Sequence, residues 1–442
     1  MPHLLYFAWG FPPAAKSCAY RMLATANSFS RAGWDVTVVT VSEEAWVREF
    51  GLDTSLLPLV DEAIEVVRLP LFRTDLETDI HRFGRLRAQY PPLWRRWSRW
   101  RDGRDFPEPV FGRWRDQLVA AARGVHRSNP VTLLLTSAAP YTFFAPALDL
   151  WQSERVPYVL DYRDAWALDI IGDRPAPDPG GRARRVEQEL LQHATEAWFV
   201  NRPIQQAYAE LFPSARERMM IVPNGADLPE VAPEAHPRTG PPWKDALTFG
   251  YLGTATFGTD VVQAACDGWR LARQAHPVLA RSRLEFRGHF GAGASRGSSG
   301  HTHILDRYAD DGVIHGGPVP KGEVADLYAS WDVLLLMLAG GRYVTSGKVF
   351  DYMATGLPIM SAHRPEHAVT EILDGYPLWV PTRGVTADAL AEAFLESADL
   401  AARVTPAQTA AARRYSETFE RYAQLAPAVD RLTARFPGMA AS

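Results

Sequence analysis

Short apolar runs, unbroken by charge, recur along this chain with longer amphipathic stretches between them. The first half carries LLYFAW (4–9), DVTVVTV (35–41), IEVVRL (64–69), VTLLLTS (131–137), PYVLDY (157–162), EAWFVN (196–201) and MMIVPN (219–224). A helical stretch over about 17–32 separates the first two. A strand apolar at nearly every position is one buried on both faces, and the amphipathic stretches supply the helices that bury it. The expected unit is a parallel, doubly wound α/β domain.

The same grammar restarts in the second half, with LTFGYLG (247–253), a helix near 260–275, RLEFRG (283–288), GVIHGG (312–317), DVLLLML (332–338), LPIMSA (357–362) and PLWV (377–380). Between the halves, residues 223–242 are rich in proline and glycine and carry neither period, which marks a linker. A single core stops growing at roughly 250–300 residues, so 442 residues call for two such domains. The expected division is 1–222, linker 223–242, 243–405, and a helical tail 406–442. GAGASRGSSGHTH (291–303) has the composition of a mobile surface loop. Open α/β sheets bind ligands beyond the carboxyl ends of their strands, and the expected site lies where those ends from both halves meet.

Composition narrows the function. With 47 basic against 51 acidic side chains and a net charge of -4, no global basic field exists to hold nucleic acid. The two cysteines, Cys18 and Cys266, fall in different halves, and a reducing cytoplasm is the expected setting. The N-terminal apolar run stops at Pro12, too soon for a signal peptide, and no later run has the roughly 18 apolar residues of a spanning helix.

The chemistry sits in three loops. After the first strand, AWGFPPAAKSCAYR lacks the G-x-G-x-x-G that brings a dinucleotide pyrophosphate against the backbone, which argues against a nicotinamide enzyme. It still offers Lys16 beside a helix start at Ser17, suited to an anion or to simple capping. DYRDAW places Asp161, Arg163 and Asp164 just past a buried strand. Either an aspartate and Arg163 pair to hold the loop, or one aspartate orients a hydroxyl while Arg163 contacts an anion. In YVTSGKVFDYMATGLPIM, Ser346 and Gly347 open a helix, Lys348 lies in its first turn and Asp351 one turn on, and Gly356 with Pro358 ends it. A helix N-terminus with a lysine suits a phosphate pair, and a nearby aspartate can hold both hydroxyls of a ribose. The carboxylates and histidines show no metal-ligand spacing.

A further segment, residues 81–104, carries eight arginines against one aspartate. Trp94, Trp97 and Trp100 recur at three-residue intervals there, with Arg95, Arg96 and Arg99 beside them. On a helix this is either a face for an anionic membrane or lipid-linked acceptor, or tryptophans packed on the domain with solvated arginines.

Taken together, FPPAAKSCAYRMLATANSFSRAGWDVTVVT, TSAAPYTFFAPALDLWQSERVPYVLDYRDAW, IVPNGADL, FGYLGTATFGTD, GGPVPKGEVADLYASWDVLLLML and SGKVFDYMATGLPIM resemble, in order and over nearly the whole chain, the retaining glycosyltransferases of family 4. DYRDAW is similar to the D-x-R-D-x-W element of a bacterial subset. The resemblance implies a GT-B fold, two Rossmann-like domains facing a cleft with the last helix crossing back. It also implies sugar transfer from a nucleotide-diphosphate donor, expected to be UDP-linked, with retention and without metal or cofactor; the nucleotide sugar is a substrate. The donor would lie on the second domain at Gly253, Thr254, Ser346, Gly347, Lys348 and Asp351, and Lys348, Arg163 and Asp164 are the catalytic candidates. The acceptor, a small molecule, glycan or lipid-linked group, would meet Lys16, Ser17, Ser137, Tyr141 and Asp161 on the first. The chain departs from the family at Ala14 and Ala15, where many members carry two glycines, and at Ser137 and Ala138, where many carry a histidine. Tyr343 stands where the first of two paired acidic residues is usual, Asp351 being the second, and GTATFGTD lacks a usual basic residue. A pseudo-glycosyltransferase, a nucleotide-sugar epimerase and a silent nucleotide-sugar-binding protein are the competing readings.

Overall fold

The structure, a computed structural model, describes residues 1–49, 51–77, 79–104, 106–226, 245–254, 257–288, 290 and 299–437. The chain forms two compact units, the first built from Met1–Asp169, Arg174–Asn224 and Arg421–Ser442, the second from Ile170–Asp173 and Gly225–Glu420.

The first unit holds β1 (His3–Ala8), β2 (Asp35–Val41), β3 (Glu65–Leu69), β4 (Leu133–Ala138) and β5 (Tyr158–Tyr162). A two-residue hairpin pair, β6 (Leu168–Asp169) and β7 (Arg174–Pro175), precedes β8 (Glu196–Phe199) and β9 (Met219–Ile221). The main sheet is parallel in the order β3-β2-β1-β4-β5-β8-β9. This is the doubly wound arrangement, in which the order reverses between β1 and β4. β1 and β4 are buried at every position, as their unbroken apolar runs require.

The second unit repeats the plan with β10 (Thr248–Leu252), β11 (Arg283–Arg287), β12 (Val313–Gly316), β13 (Val333–Met337), β14 (Ile359–Ala362) and β15 (Trp379–Pro381). Its order is β12-β11-β10-β13-β14-β15, again parallel throughout. Aromatic packing knits its core, with Trp269 edge-on to Phe249 and Phe394 at 5.3 and 5.1 Å.

Two sequence expectations are corrected. The tail does not leave the second unit at residue 406: the helix Pro406–Glu417 stays there, with Ala412 in the core and Arg413 donating to the Thr355 carbonyl. The last helix, Arg421–Arg435, belongs to the first unit, where Leu425, Ala428, Val429 and Leu432 are buried in the core that holds the first helix, Cys18–Arg31. The stretch expected as a loop at 291–303 is helical from Ser299 to Asp306, because His301, Ile304 and Leu305 give it a face to bury; residues 291–298 lie outside the described residues. Most of the linker, from 227 on, does as well. No helix among the described residues is long and apolar enough to cross a membrane.

Candidate functional site

In the second unit the expected helix begins where the sequence places it. Gly347 is its N-cap, the helix runs Lys348–Thr355, and Gly356 closes it at φ +72°, a left-handed cap that favours glycine. Lys348 N–H donates to Ser346 Oγ at 3.4 Å, while among the described residues the amides of Ser346 and Gly347 donate to no other group. Asp351 lies exposed in the first turn.

The Lys348 side chain runs from this helix to the carboxyl end of β10. Its Nζ donates to Tyr251 Oη at 2.6 Å, and Tyr251 Oη donates in turn to the Thr254 carbonyl at 3.1 Å. Gly253 provides the room: its φ is +146°, and a Cβ there would collide with Lys348 Cε and Nζ. Gly253, Thr254, Ser346, Gly347 and Lys348 are thus brought together, from two segments about a hundred residues apart in sequence. Among the described residues no carboxylate pairs with Lys348. Burial therefore acts on its ammonium unopposed and lowers the pKa to about 7. This is a cationic position that gains from an incoming anion.

In the first unit the acidic loop divides into two parts. Asp161 is fully buried and accepts from Arg21 Nε at 3.1 Å, Arg21 Nη2 at 2.7 Å and Ser137 Oγ at 2.6 Å. Ser137 also bonds Tyr6 Oη at 2.8 Å, and Arg21 reaches the Pro223 carbonyl at 2.8 Å. This network ties the first helix to β1, β4 and β5 and to the chain leaving the unit. Asp161 and Ser137, expected at the acceptor, are therefore interior bracing, and the partner of Asp161 is Arg21 rather than Arg163.

Arg163 pairs instead with its neighbour Asp164 at 2.7 Å. Burial is the largest influence on the Arg163 pKa and would lower it, but Asp164, Cys18, Asp161 and Tyr141 together outweigh it and the shift is upward, so the guanidinium stays charged. Arg163 Nε is buried without a partner among the described residues, whereas the Asp164 side chain is 37% exposed. Tyr141 lies close enough that Asp164, after burial, is the next cause raising its pKa. Tyr141 also stacks on Trp166 at 4.9 Å and 7°, and Trp166 stacks on Phe106 at 5.3 Å. Tyr141, Arg163 and Asp164 thus form one cluster. Ser17 lies exposed at the start of the first helix with no side-chain cap bond, and Lys16 Nζ sits 4.2 Å over the Trp9 ring.

The loop has a support that the sequence reading missed. Ala167 N–H donates to Tyr208 Oη at 2.9 Å, and Tyr208 donates to the buried Glu187 at 2.7 Å. Burial pushes Glu187 up to about 8, against the lowering effect of Tyr208. Glu108, also buried, accepts from Thr142 N and Oγ1 at 2.5 and 2.7 Å and is pushed up to about 7 by burial. A glutamate on the apolar side of the Arg182–His193 helix is the sequence signal for Glu187. His363 and His367 are buried against each other at 5.3 Å, and burial lowers both pKa values.

Residues 18–225 match the family described as "Glycosyl transferase 4-like domain". No curated protein matches the sequence. Among solved structures, the sucrose-phosphate synthase of Thermosynechococcus elongatus superposes with a TM-score of 0.62 at 15% identity, covering 98% of this chain and 99% of that one. Anabaena Alr3699/HepE in complex with UDP gives 0.62 at 12%, covering 98% and 100%. WaaG, a glycosyltransferase involved in lipopolysaccharide biosynthesis, gives 0.56 at 12%, again covering 98% and 100%. At such identities the likeness establishes architecture, and that architecture is GT-B. The match of residues 18–225 to the glycosyl transferase 4-like domain, together with the GT-B fold, supports a glycosyltransferase.

Proposed function

We propose that this protein transfers a glycosyl group from a nucleotide-diphosphate sugar to an acceptor, with retention of anomeric configuration and without a metal ion. The observation that carries the reading is Lys348: an ammonium at a helix start, beside the glycine that makes room for it, with no carboxylate paired to it among the described residues. Breaking the bond between an anomeric carbon and a diphosphate moves negative charge onto the leaving group. Lys348 and the amides of Ser346 and Gly347 would meet that charge where a divalent ion acts in other enzymes. Asp351, in the same first turn, is assigned to the ribose hydroxyls. A departing phosphate oxygen can accept the acceptor's proton on the same face, which is consistent with Ser137 and Ala138 standing where a histidine is usual.

Asp164, half-buried and held by Arg163, is assigned to the acceptor, which is a small molecule, a glycan or a lipid-linked group. Lys16 and Ser17, at the start of the first helix, are further candidates on that side. UDP is the proposed nucleotide, supported by the likeness to Anabaena Alr3699/HepE, solved with UDP and with UDP-glucose. The test is incubation with a panel of nucleotide sugars, following release of nucleoside diphosphate with and without acceptor. Release that requires Lys348 and yields a product of retained configuration supports the reading. Binding without release supports the silent alternative, to which Tyr343 in place of an acidic residue points, and an altered sugar still joined to nucleotide identifies an epimerase.

A further inference from the structure

The arginine- and tryptophan-rich segment is the largest feature that the proposed chemistry does not use. Its main element is the helix Pro91–Asp102, opened by Pro91 and Pro92 in its first turn. One side of this helix is fixed to the first unit. Asp102 is 2% exposed and accepts from Arg113 Nε at 2.8 Å, and Arg113 Nη2 donates to the buried Ser98 at 2.7 Å. At about 100° per residue, Leu93, Trp97 and Trp100 fall within an arc of about 60° on the opposite side. They are 58%, 44% and 63% exposed, and Tyr90, just before the helix, is 55% exposed. Trp94 does not join this stripe: it is half-buried, with Arg87 lying 4.5 Å over its ring. The three-residue spacing read from sequence is thus replaced by a 93, 97, 100 spacing, which follows the helical period more closely.

We propose that this stripe and its arginines dock the protein on the surface of an anionic bilayer. Arg96 and Arg101 border the stripe on its two sides, and the guanidinium of Arg101 lies 5.5 Å from the Trp97 ring and that of Arg104 5.7 Å from the Trp100 ring. Among the described residues Arg95, Arg96, Arg99, Arg101 and Arg104 form no ion pair, and the segment's single aspartate is neutralised by Arg113. Indole and leucine side chains ringed by cations are the composition of a helix lying in the headgroup layer, where the apolar side enters the acyl boundary and the arginines meet phosphate. The Asp102–Arg113 bond prevents the helix from rolling its apolar side inward. The charge around the stripe is of one sign, so a uniformly negative surface complements it.

The test is co-sedimentation of the full chain with vesicles of phosphatidylcholine alone or with about one-third phosphatidylglycerol. It uses neither donor nor acceptor, so its outcome is independent of the glycosyltransferase reading. Binding is expected with the anionic vesicles and is expected to weaken as salt rises from roughly 0.05 M to 0.5 M. Trp97→Ala with Trp100→Ala should weaken it about tenfold or more by removing the inserted rings. Arg96→Ala, Arg101→Ala and Arg104→Ala together should weaken it on the order of a hundredfold, about fivefold for each charge near the surface. Leu93→Ser, at an exposed position, is a second apolar variant should the tryptophan pair fold poorly. The proposal is overturned if wild type and variants sediment alike, if binding is equal on phosphatidylcholine alone, or if the stripe instead mediates self-association that the tryptophan variant abolishes without lipid.

Discussion

The side chain of Lys348 lies in the space that Gly253 leaves by having no Cβ, so that residues 95 apart in sequence determine each other's position. Gly253→Ala would add a methyl group on top of Lys348 Cε and Nζ at a backbone φ of +146°, which an L-residue rarely adopts. The expected result is loss of nucleoside diphosphate affinity comparable to that of Lys348→Ala, about tenfold to a hundredfold, with much less effect on binding of the free nucleoside. Calorimetric titration with both ligands measures this, and equal loss for both would assign Lys348 to the nucleoside or to folding.

The same lysine gives nucleotide binding a pH dependence. Burial lowers its pKa to about 7, so above neutrality the unliganded protein carries it neutral and a diphosphate must draw in a proton to bind. Affinity for the diphosphate is therefore expected to fall as pH rises from 7 towards 9, by up to about tenfold per unit, while affinity for the nucleoside stays level. Titration in buffers of different ionisation enthalpy should detect the proton uptake, and Lys348→Ala should abolish it.

Asp161 and Arg21 make a different kind of pair, enclosed in the interior of the first unit. Arg21→Ala would leave the carboxylate buried and uncompensated, at a cost of about 3–5 kcal/mol, and Asp161→Asn would strand the guanidinium to similar effect. Denaturant melts of the two single variants and of the double variant should show strong coupling. A mild effect of Asp161→Asn on stability with loss of acceptor affinity would return Asp161 to the site.

Glu187 and Glu108 should make the first unit less stable as pH rises. Their pKa values are raised by burial to about 8 and about 7, so the folded state holds these protons more tightly than the unfolded chain does. Their contribution is complete below the ordinary carboxyl range and is lost progressively up to pH 8. Glu187→Gln, which keeps the hydrogen-bonding shape without the charge, should flatten the decline in Tm between pH 5 and 8 and stabilise the protein at pH 8.

Asp164→Asn is expected to lower turnover by about a hundredfold or more while leaving donor affinity nearly unchanged, since the half-buried carboxylate is assigned to the acceptor. A chelator should leave the rate flat. A rate that vanishes with chelator and returns with magnesium or manganese would sink the assignment of leaving-group charge to Lys348.

The succession of the main strands along the chain, the two doubly wound sheets and the helix headed by Lys348 were legible in the sequence, because unbroken apolar runs, helical periods and a Ser-Gly-Lys start are local signals. Which charges are braced and which are presented was not legible. Asp161 and Asp164 stand three residues apart in one motif, yet one is sealed against Arg21 and the other is open beside Arg163. That difference arises because β5 turns Asp161 inward against a helix about 140 positions away in the chain, whereas Asp164 lies beyond the end of the strand. The same holds for Glu187 and Tyr208, for the room Gly253 gives Lys348, and for the tryptophans of the 91–102 helix, whose exposed side is fixed by Asp102 gripping Arg113. Sequence determines which groups exist and how the backbone runs; long-range packing, which removes some of those groups from water and leaves others in it, decides which of them can act.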